Sequence, residues 1–172
     1  MGAAVRRECL INGGTMKTGI DTSGYRALRR HRFSSPNRIY LITFTTNKRQ
    51  PIFCENDHAA RAFCAALNDP MLWHEATLMC WVLMYDHVHL LVQIGDTESI
   101  SRLINRLKTN TARKVNMALG RKDRFWGKGF HDRAIRSEEN VVDIARYIVM
   151  NPVRAGFVKS VGLYPYWDAI WL

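Results

Sequence analysis

Residues 77–94 read TLMCWVLMYDHVHLLVQI. Two runs rich in apolar and β-branched residues, 77–84 and 87–94, flank Tyr85-Asp86, and that spacing predicts two antiparallel strands joined by a tight connection. Upstream, Ile39-Tyr40-Leu41-Ile42-Thr43-Phe44-Thr45 predicts a first strand. Between them, Asn56 or Asp57 caps a helix whose apolar positions Ala59, Ala60, Phe63, Cys64 and Leu67 follow helical spacing, ending near Asn68-Asp69-Pro70. Downstream, a longer helix starts at Asp96 or Thr97. Its stripe is Ile100, Leu103, Ile104, Leu107, Thr111, Val115 and Leu119, and Gly120 ends it. Residues 121–129 form a basic, aromatic loop, and 132–136 a fourth strand. Ser137 caps a last helix, with Glu138 and Glu139 in its first turn, and Pro152 stops that helix near Asn151.

The order β-α-β-β-α-β-α predicts an α+β fold. It is a ferredoxin-like, RRM-like βαββαβ sandwich with helices on one face of an antiparallel sheet, followed by an additional C-terminal helix that carries Tyr147. Residues 1–37 read as a basic, flexible N-terminal arm, 38–160 as the folded domain and 161–172 as a C-terminal tail.

The chain has 172 residues, 25 Lys+Arg against 15 Asp+Glu, and a formal charge of +10. That length suits one domain, and an apolar fraction of 47% makes it globular rather than disordered. No apolar run approaches the ~20 residues of a membrane span, and the N-terminus lacks the apolar stretch of a secretion signal. The expected location is the cytoplasm, at the nucleoid. Cys9, Cys54, Cys64 and Cys80 contain no CxxC pair and read as small buried hydrophobes in a reducing compartment. Basic residues cluster in 1–50 and again in 101–136, the second block interleaved with Phe125, Trp126 and Phe130. Cations interleaved with aromatics suit a phosphate backbone with unstacked bases. Candidate DNA contacts are Arg102, Arg106, Lys108, Arg113, Lys114, Lys128, His131 and Arg133, with Trp126 as a stacking ring or a core residue.

The chemistry centres on His87-Val88-His89. On a strand, residues two apart share a face, so His87 and His89 present two imidazoles together while Val88 and Leu90 point the other way. Such a pair is either two ordinary half-buried histidines or part of a divalent-metal site, and two ligands alone hold an ion poorly. The last helix offers a third in Asn151, which stacks one turn from Tyr147 on one helical face. If that face meets the strand, Asn151 completes a metal site of His87, His89 and Asn151. Tyr147 would then stand beside it, its phenol (ordinarily near pKa 10) favoured as phenolate by a nearby cation; otherwise Tyr147 is a core or rim tyrosine and Asn151 a helix terminus before proline.

His87-Val88-His89 resembles the HUH motif of single-tyrosine transposases. Tyr147-Ile148-Val149-Met150-Asn151-Pro152-Val153-Arg154-Ala155-Gly156-Phe157-Val158 resembles the YIxxNPVxAGxV signature of the REP-associated tyrosine transposases. The segment from Phe125 through Trp126, Gly127, Gly129 and His131 to Arg136 is similar to the block between them. Tyr85-Asp86 stand where the family often has Pro-Asn. The resemblance implies a metal-dependent endonuclease and strand transferase for single-stranded DNA, acting on REP-type palindromic hairpins. It further implies Mg²⁺ or Mn²⁺ on His87, His89 and Asn151, and a 5′-phosphotyrosine on Tyr147. No GxxxxGK[ST] occurs, in keeping with a reaction that needs no nucleotide cofactor. Relatives include monomers and homodimers, so the tyrosine acts in cis or in trans. The alternative is a non-catalytic single-strand-binding module, but the central strand carries histidines where an RRM has aromatics.

Overall fold

The computed structural model describes residues 37–171. The predicted flexible arm, apart from Asn37, and Cys9 lie outside these residues. Strand β1 (Ile39–Thr45) alternates strictly, with Tyr40, Ile42 and Phe44 buried on one side. A one-turn helix α1 (Ile52–Glu55) leads into α2 (Asp57–Leu67), whose cap is Asn56: its side-chain oxygen accepts from the Ala59 amide. Strands β2 (Ala76–Leu83) and β3 (His87–Ile94) follow as the expected hairpin. Helix α3 (Ile100–Ala118) starts at Ser99, whose hydroxyl accepts from the Arg102 amide, two or three residues beyond the predicted start at Thr97 or Asp96. Gly120, at φ +62°, closes it in the left-handed conformation that glycine adopts without strain.

Strand β4 (His131–Ala134) starts one residue and ends two residues earlier than predicted, and α4 (Val141–Val149) starts later. Ser137 is not the cap of α4. Asn140 is, its side chain accepting from Val142 and Asp143, while Glu139 turns back to the Arg136 amide and the Arg133 guanidinium. Pro152 does not simply end the helix: it sits in the first turn of a short α5 (Asn151–Arg154), where a missing N–H costs nothing. Part of the predicted tail is a strand, β5 (Trp167–Ala169), too short to leave a periodic signature.

The sheet is antiparallel in the order β4-β1-β3-β2-β5. The first four are the ferredoxin-like order, and β5 extends the edge beside β2. One face carries Tyr40, Ile42, Phe44, Val88, Leu90 and Val92 against α2 and α3. The opposite face carries Cys80, Val82, Met84 and Leu91 against Ala145, Ile148 and Val149 of α4. A bulge between Leu78 and Cys80 reverses the alternation of β2, sending Cys80 and Val82 to the α4 side. Helices α2 and α3 cover one face, as expected of the βαββαβ unit, and the additional helix α4 crosses back over the second face after β4.

The aromatic loop is sewn to the first face. Trp126 is 4% exposed, meets Phe44 edge-on at 4.7 Å and donates its indole N–H to Thr111 Oγ1 at 2.9 Å. Lys108 donates to the carbonyls of Gly127 and Gly129. Burial, with a smaller contribution from Arg124, pulls the Lys108 ammonium down to about 8. Cys64 and Cys80 are free thiols, pushed by burial up to about 11 and about 12, as expected of inert packing residues. Cys54 is disulfide-bonded, which departs from the expectation for that residue. Among the described residues no helix is long and apolar enough to cross a membrane.

Candidate active site

The alternation of β3 sends Val88 and Leu90 into the first core and His87 and His89 to the α4 face. The rings stand at 90° with centroids 4.8 Å apart, and their Nε2 atoms face each other at 3.1 Å. Each Nδ1 is held by an oxygen. Asp86 Oδ1 lies 2.5 Å from His87 Nδ1, and Thr43 Oγ1 lies 2.8 Å from His89 Nδ1. Thr43 is the β1 residue directly opposite His89, so register alone delivers that contact. Arg49 braces Asp86 at 3.2 Å. Burial alone would raise the Asp86 carboxyl, but the His87 hydrogen bond and the Arg49 charge outweigh it and hold it below the ordinary value. An ionised Asp86 accepts the His87 Nδ1 proton, leaving the Nε2 lone pair for another partner. The Thr43 hydroxyl can donate or accept, so it serves either tautomer of His89.

These residues fit a divalent cation. Two ligands about 2.1 Å from an ion and at right angles are about 3.0 Å apart, close to the spacing of the two Nε2 atoms. Oriented by oxygens on their far nitrogens, they are arranged as metal-binding histidines are. Among the described residues, no group of three or more His, Cys, Asp and Glu side chains is placed to hold a metal. Any further ligand must be of another kind, such as an amide.

Tyr147 projects from α4 and is 62% exposed. Asn151, four residues on, opens α5. Its Nδ2 donates to the Ile148 carbonyl and its Oδ1 accepts from Arg154, each at 2.8 Å. The two predicted residues thus share one end of α4, bound together by Arg154, on the sheet face that carries the histidines. Burial first, then the His87 and Arg154 charges, hold the His89 imidazolium down to about 4. A cleft of about 530 Å³ between β1, β4 and α4 is lined by Leu41, Arg133, Asp143, Ile144 and Tyr147.

The candidate DNA contacts divide by face. His131 and Arg133 lie opposite Thr43 and Leu41, so they share the histidine face. Lys128 is exposed in the loop just before them. Arg102 and Arg113 are exposed and Lys114 is half-buried on α3, a helix packed against the opposite face. Arg133 is paired with Glu139 at 2.6 Å at the surface, and three further candidates are occupied elsewhere. Arg106 is paired with Glu98 at 2.6 Å and bonded to the Leu72 carbonyl, Lys108 clamps the loop, and Trp126 is buried, with no ring face left for a base. Periodicity could not separate them from solvated residues, since their partners are distant in sequence. Thr43, Asp86, Arg49 and Arg154 were not singled out by motif. Asp86 and Arg154 adjoin or lie within the quoted motifs, whereas Thr43 needed the β1–β3 register.

The neutral His89 makes stability pH-dependent. Its folded-state value lies below the ordinary 6.5, so the unfolded chain takes up a proton first as pH falls. Stability present above about 6.5 is lost toward pH 4, by roughly 2–3 kcal/mol from this group. Urea melts of the metal-free chain should show this loss, and His89→Gln should show less of it. Equal slopes in both would refute the assignment.

The site is thus a sheet-borne histidine pair on the face covered by a tyrosine-bearing helix, in a ferredoxin-like fold. Residues 34–151 match the family described as transposase IS200 like, and the chain belongs to that family. It is similar to a Haemophilus influenzae (strain ATCC 51907 / DSM 11121 / KW20 / Rd) protein whose name places it among the REP-associated tyrosine transposases. The two are 28% identical over 102 residues, covering 54% of this chain and 57% of that one. The chain thus spans little more than half the length of this curated relative. A solved REP-associated tyrosine transposase bound to a REP hairpin matches with a TM-score of 0.59 at 21% identity, covering 80% of this chain and 79% of the other. A transposase structure from Deinococcus radiodurans R1 matches with a TM-score of 0.50 at 20% identity, covering 69% and 95%. Both share the fold.

Proposed function

We propose that this chain is a single-stranded DNA endonuclease and strand transferase of the REP-associated kind, using Tyr147 as nucleophile and a divalent ion on His87, His89 and Asn151. One observation carries the reading. The Nε2 atoms of His87 and His89 converge at 3.1 Å on the same sheet face as the helix bearing Tyr147. The family membership, and the hairpin in the related structure, point to folded single strands as the substrate.

In this reading Tyr147 Oη attacks the scissile phosphorus in line. The phosphorus–O3′ bond breaks, leaving a 3′-hydroxyl on one fragment and a 5′-phosphotyrosine on the other. The phenol proton passes to solvent, which reaches this exposed ring. Bond energy is retained in the phosphotyrosine, so a DNA 3′-hydroxyl can rejoin the strand without ATP. Asp86 and Thr43 fix the imidazoles so that their Nε2 atoms face the site, and before DNA binds Arg154 lies against the Tyr147 ring. When bound, the ion would supply positive charge to the phosphate oxygens and the leaving O3′. Imidazole with an amide oxygen suits Mn²⁺ better than Mg²⁺. Lys128, His131 and Arg133, on or beside the same face, would guide the strand. The chain would work as a monomer or a homodimer at the nucleoid.

The test is incubation with a single-stranded palindromic hairpin and Mn²⁺, with a denaturing gel to reveal a covalent adduct. An adduct that forms equally in EDTA, or equally well on duplex DNA, would sink the reading. Binding should also weaken steeply with salt. For about four phosphate contacts to single-stranded DNA, log K should fall with a slope of about −3 against log salt. Lys128→Ala with Arg133→Ala should flatten that slope by roughly 1 to 1.5. A salt-independent affinity would show the basic residues to be mere solvated surface.

A further inference from the structure

Arg154 reaches back from the last turn of α5 to three groups at once. Its Nη1 donates to the Tyr147 carbonyl at 2.8 Å and its Nη2 to Asn151 Oδ1 at 2.8 Å. The guanidinium carbon stands 3.6 Å from the centroid of the Tyr147 ring. The other end of the Asn151 amide is also committed, Nδ2 donating to the Ile148 carbonyl at 2.8 Å. The first contact caps a carbonyl in the last turn of α4, where a cation is favoured by the helix dipole. The second covers the one oxygen that the proposed metal site needs from this helix.

A guanidinium and a divalent ion on one amide oxygen would stand only a few ångströms apart, so the two occupancies oppose each other. We infer that Arg154 is a positioning residue that masks Asn151 Oδ1 until a DNA phosphate draws its guanidinium away, so that metal and DNA bind cooperatively. The inference rests on the proposed histidine site. Phosphate is the ligand with the chemistry to lift the mask, since guanidinium–phosphate pairs are charge-assisted and bidentate while the amide contact is a single neutral acceptor. Arg154 is exposed and within reach of such a phosphate, lying against the ring of the proposed nucleophile. Reciprocity then requires that metal favour DNA binding by the same factor that DNA favours metal binding.

Mn²⁺ affinity of the full chain without DNA, measured by electron paramagnetic resonance, tests this. Removing a merely structural arginine would loosen the site, whereas removing a mask tightens it. Arg154→Met should bind Mn²⁺ about ten-fold more tightly than the wild type, the size of one charge-assisted hydrogen bond released. Arg154→Lys, which keeps the charge but cannot span both acceptors, should tighten it less, by about three-fold, and it serves where the methionine variant fails to fold. Asn151→Ala in combination with Arg154→Met should cancel the gain. Adding the hairpin should tighten Mn²⁺ binding in the wild type and much less in Arg154→Met. Equal or weaker binding by both arginine variants overturns the mask. A gain that persists without Asn151 overturns it too, since charge removal alone then accounts for the change. His87→Ala separates the two levels: if it leaves Mn²⁺ affinity unchanged, the histidine site itself is wrong. If it abolishes binding while Arg154→Met gives no gain, only the mask is wrong.

Discussion

Replacing Tyr147 by Phe should abolish the covalent protein–DNA adduct, with cleavage falling by on the order of 10⁴-fold or more, while hairpin affinity stays within about three-fold. The change removes one oxygen from a side chain that is 62% exposed, so it leaves the core untouched and should shift stability by less than about 0.5 kcal/mol. The ring remains, and with it the face on which Arg154 lies at 3.6 Å. Binding and chemistry are thereby separated: the phosphate-contacting side chains keep their charges, and only the nucleophile is gone. A denaturing gel and a native gel on the same samples read the two quantities. An adduct that forms with Phe at 147 would remove the tyrosine from its proposed role, with Tyr85 the next candidate, although its ring is stacked on Phe157 at 3.7 Å.

The second large effect concerns the histidines. Mn²⁺ at a hundred times its Kd should stabilise the wild type by about 2.7 kcal/mol, a shift of several degrees in Tm, and His89→Ala should lose that shift. Cleavage by the variant should fall by about 10²–10³-fold, the range expected when a cation's charge is lost from a developing oxyanion. His89 is the more informative of the pair, because it stays neutral down to about pH 4 and so keeps a lone pair for metal over the physiological range. Removing it also leaves the Thr43 hydroxyl without its 2.8 Å partner, which should cost the metal-free protein about 1 kcal/mol. The metal-dependent shift in Tm distinguishes this small structural loss from the loss of a ligand. A variant that retained the full Mn²⁺ shift would place the ion elsewhere.

Much of this arrangement is readable along the chain because it depends on neighbours a few residues apart. The span of β1, the β2–β3 hairpin with its short connection and the apolar stripe of α3 all follow from residue type and spacing. So does the common face of His87 and His89, since the period of an extended strand is two. The pairing of Tyr147 with Asn151 has the same origin, one turn of helix, although the chain changes from α4 to α5 between them.

Other features depend on how distant segments meet. Nothing local distinguishes the buried Trp126 from a ring free to stack, or Arg106 and Lys108 from solvated cations. Their partners, Thr111, Glu98 and the loop carbonyls, lie eight to twenty-one residues away. Helix α4 has an apolar face that would pack equally well on either side of a sheet. Its crossing to the histidine face is decided by the path out of β4 and by the β2 bulge that turns Cys80 and Val82 toward it. The same holds for Thr43 beside His89, fixed by the register of β1 on β3, and for Arg154 beneath the tyrosine. Periodicity is a property of one segment and is written in its residues. Which face a segment covers, and which side chains then converge, is a property of several segments packed together, set by the burial they achieve jointly rather than by any one of them.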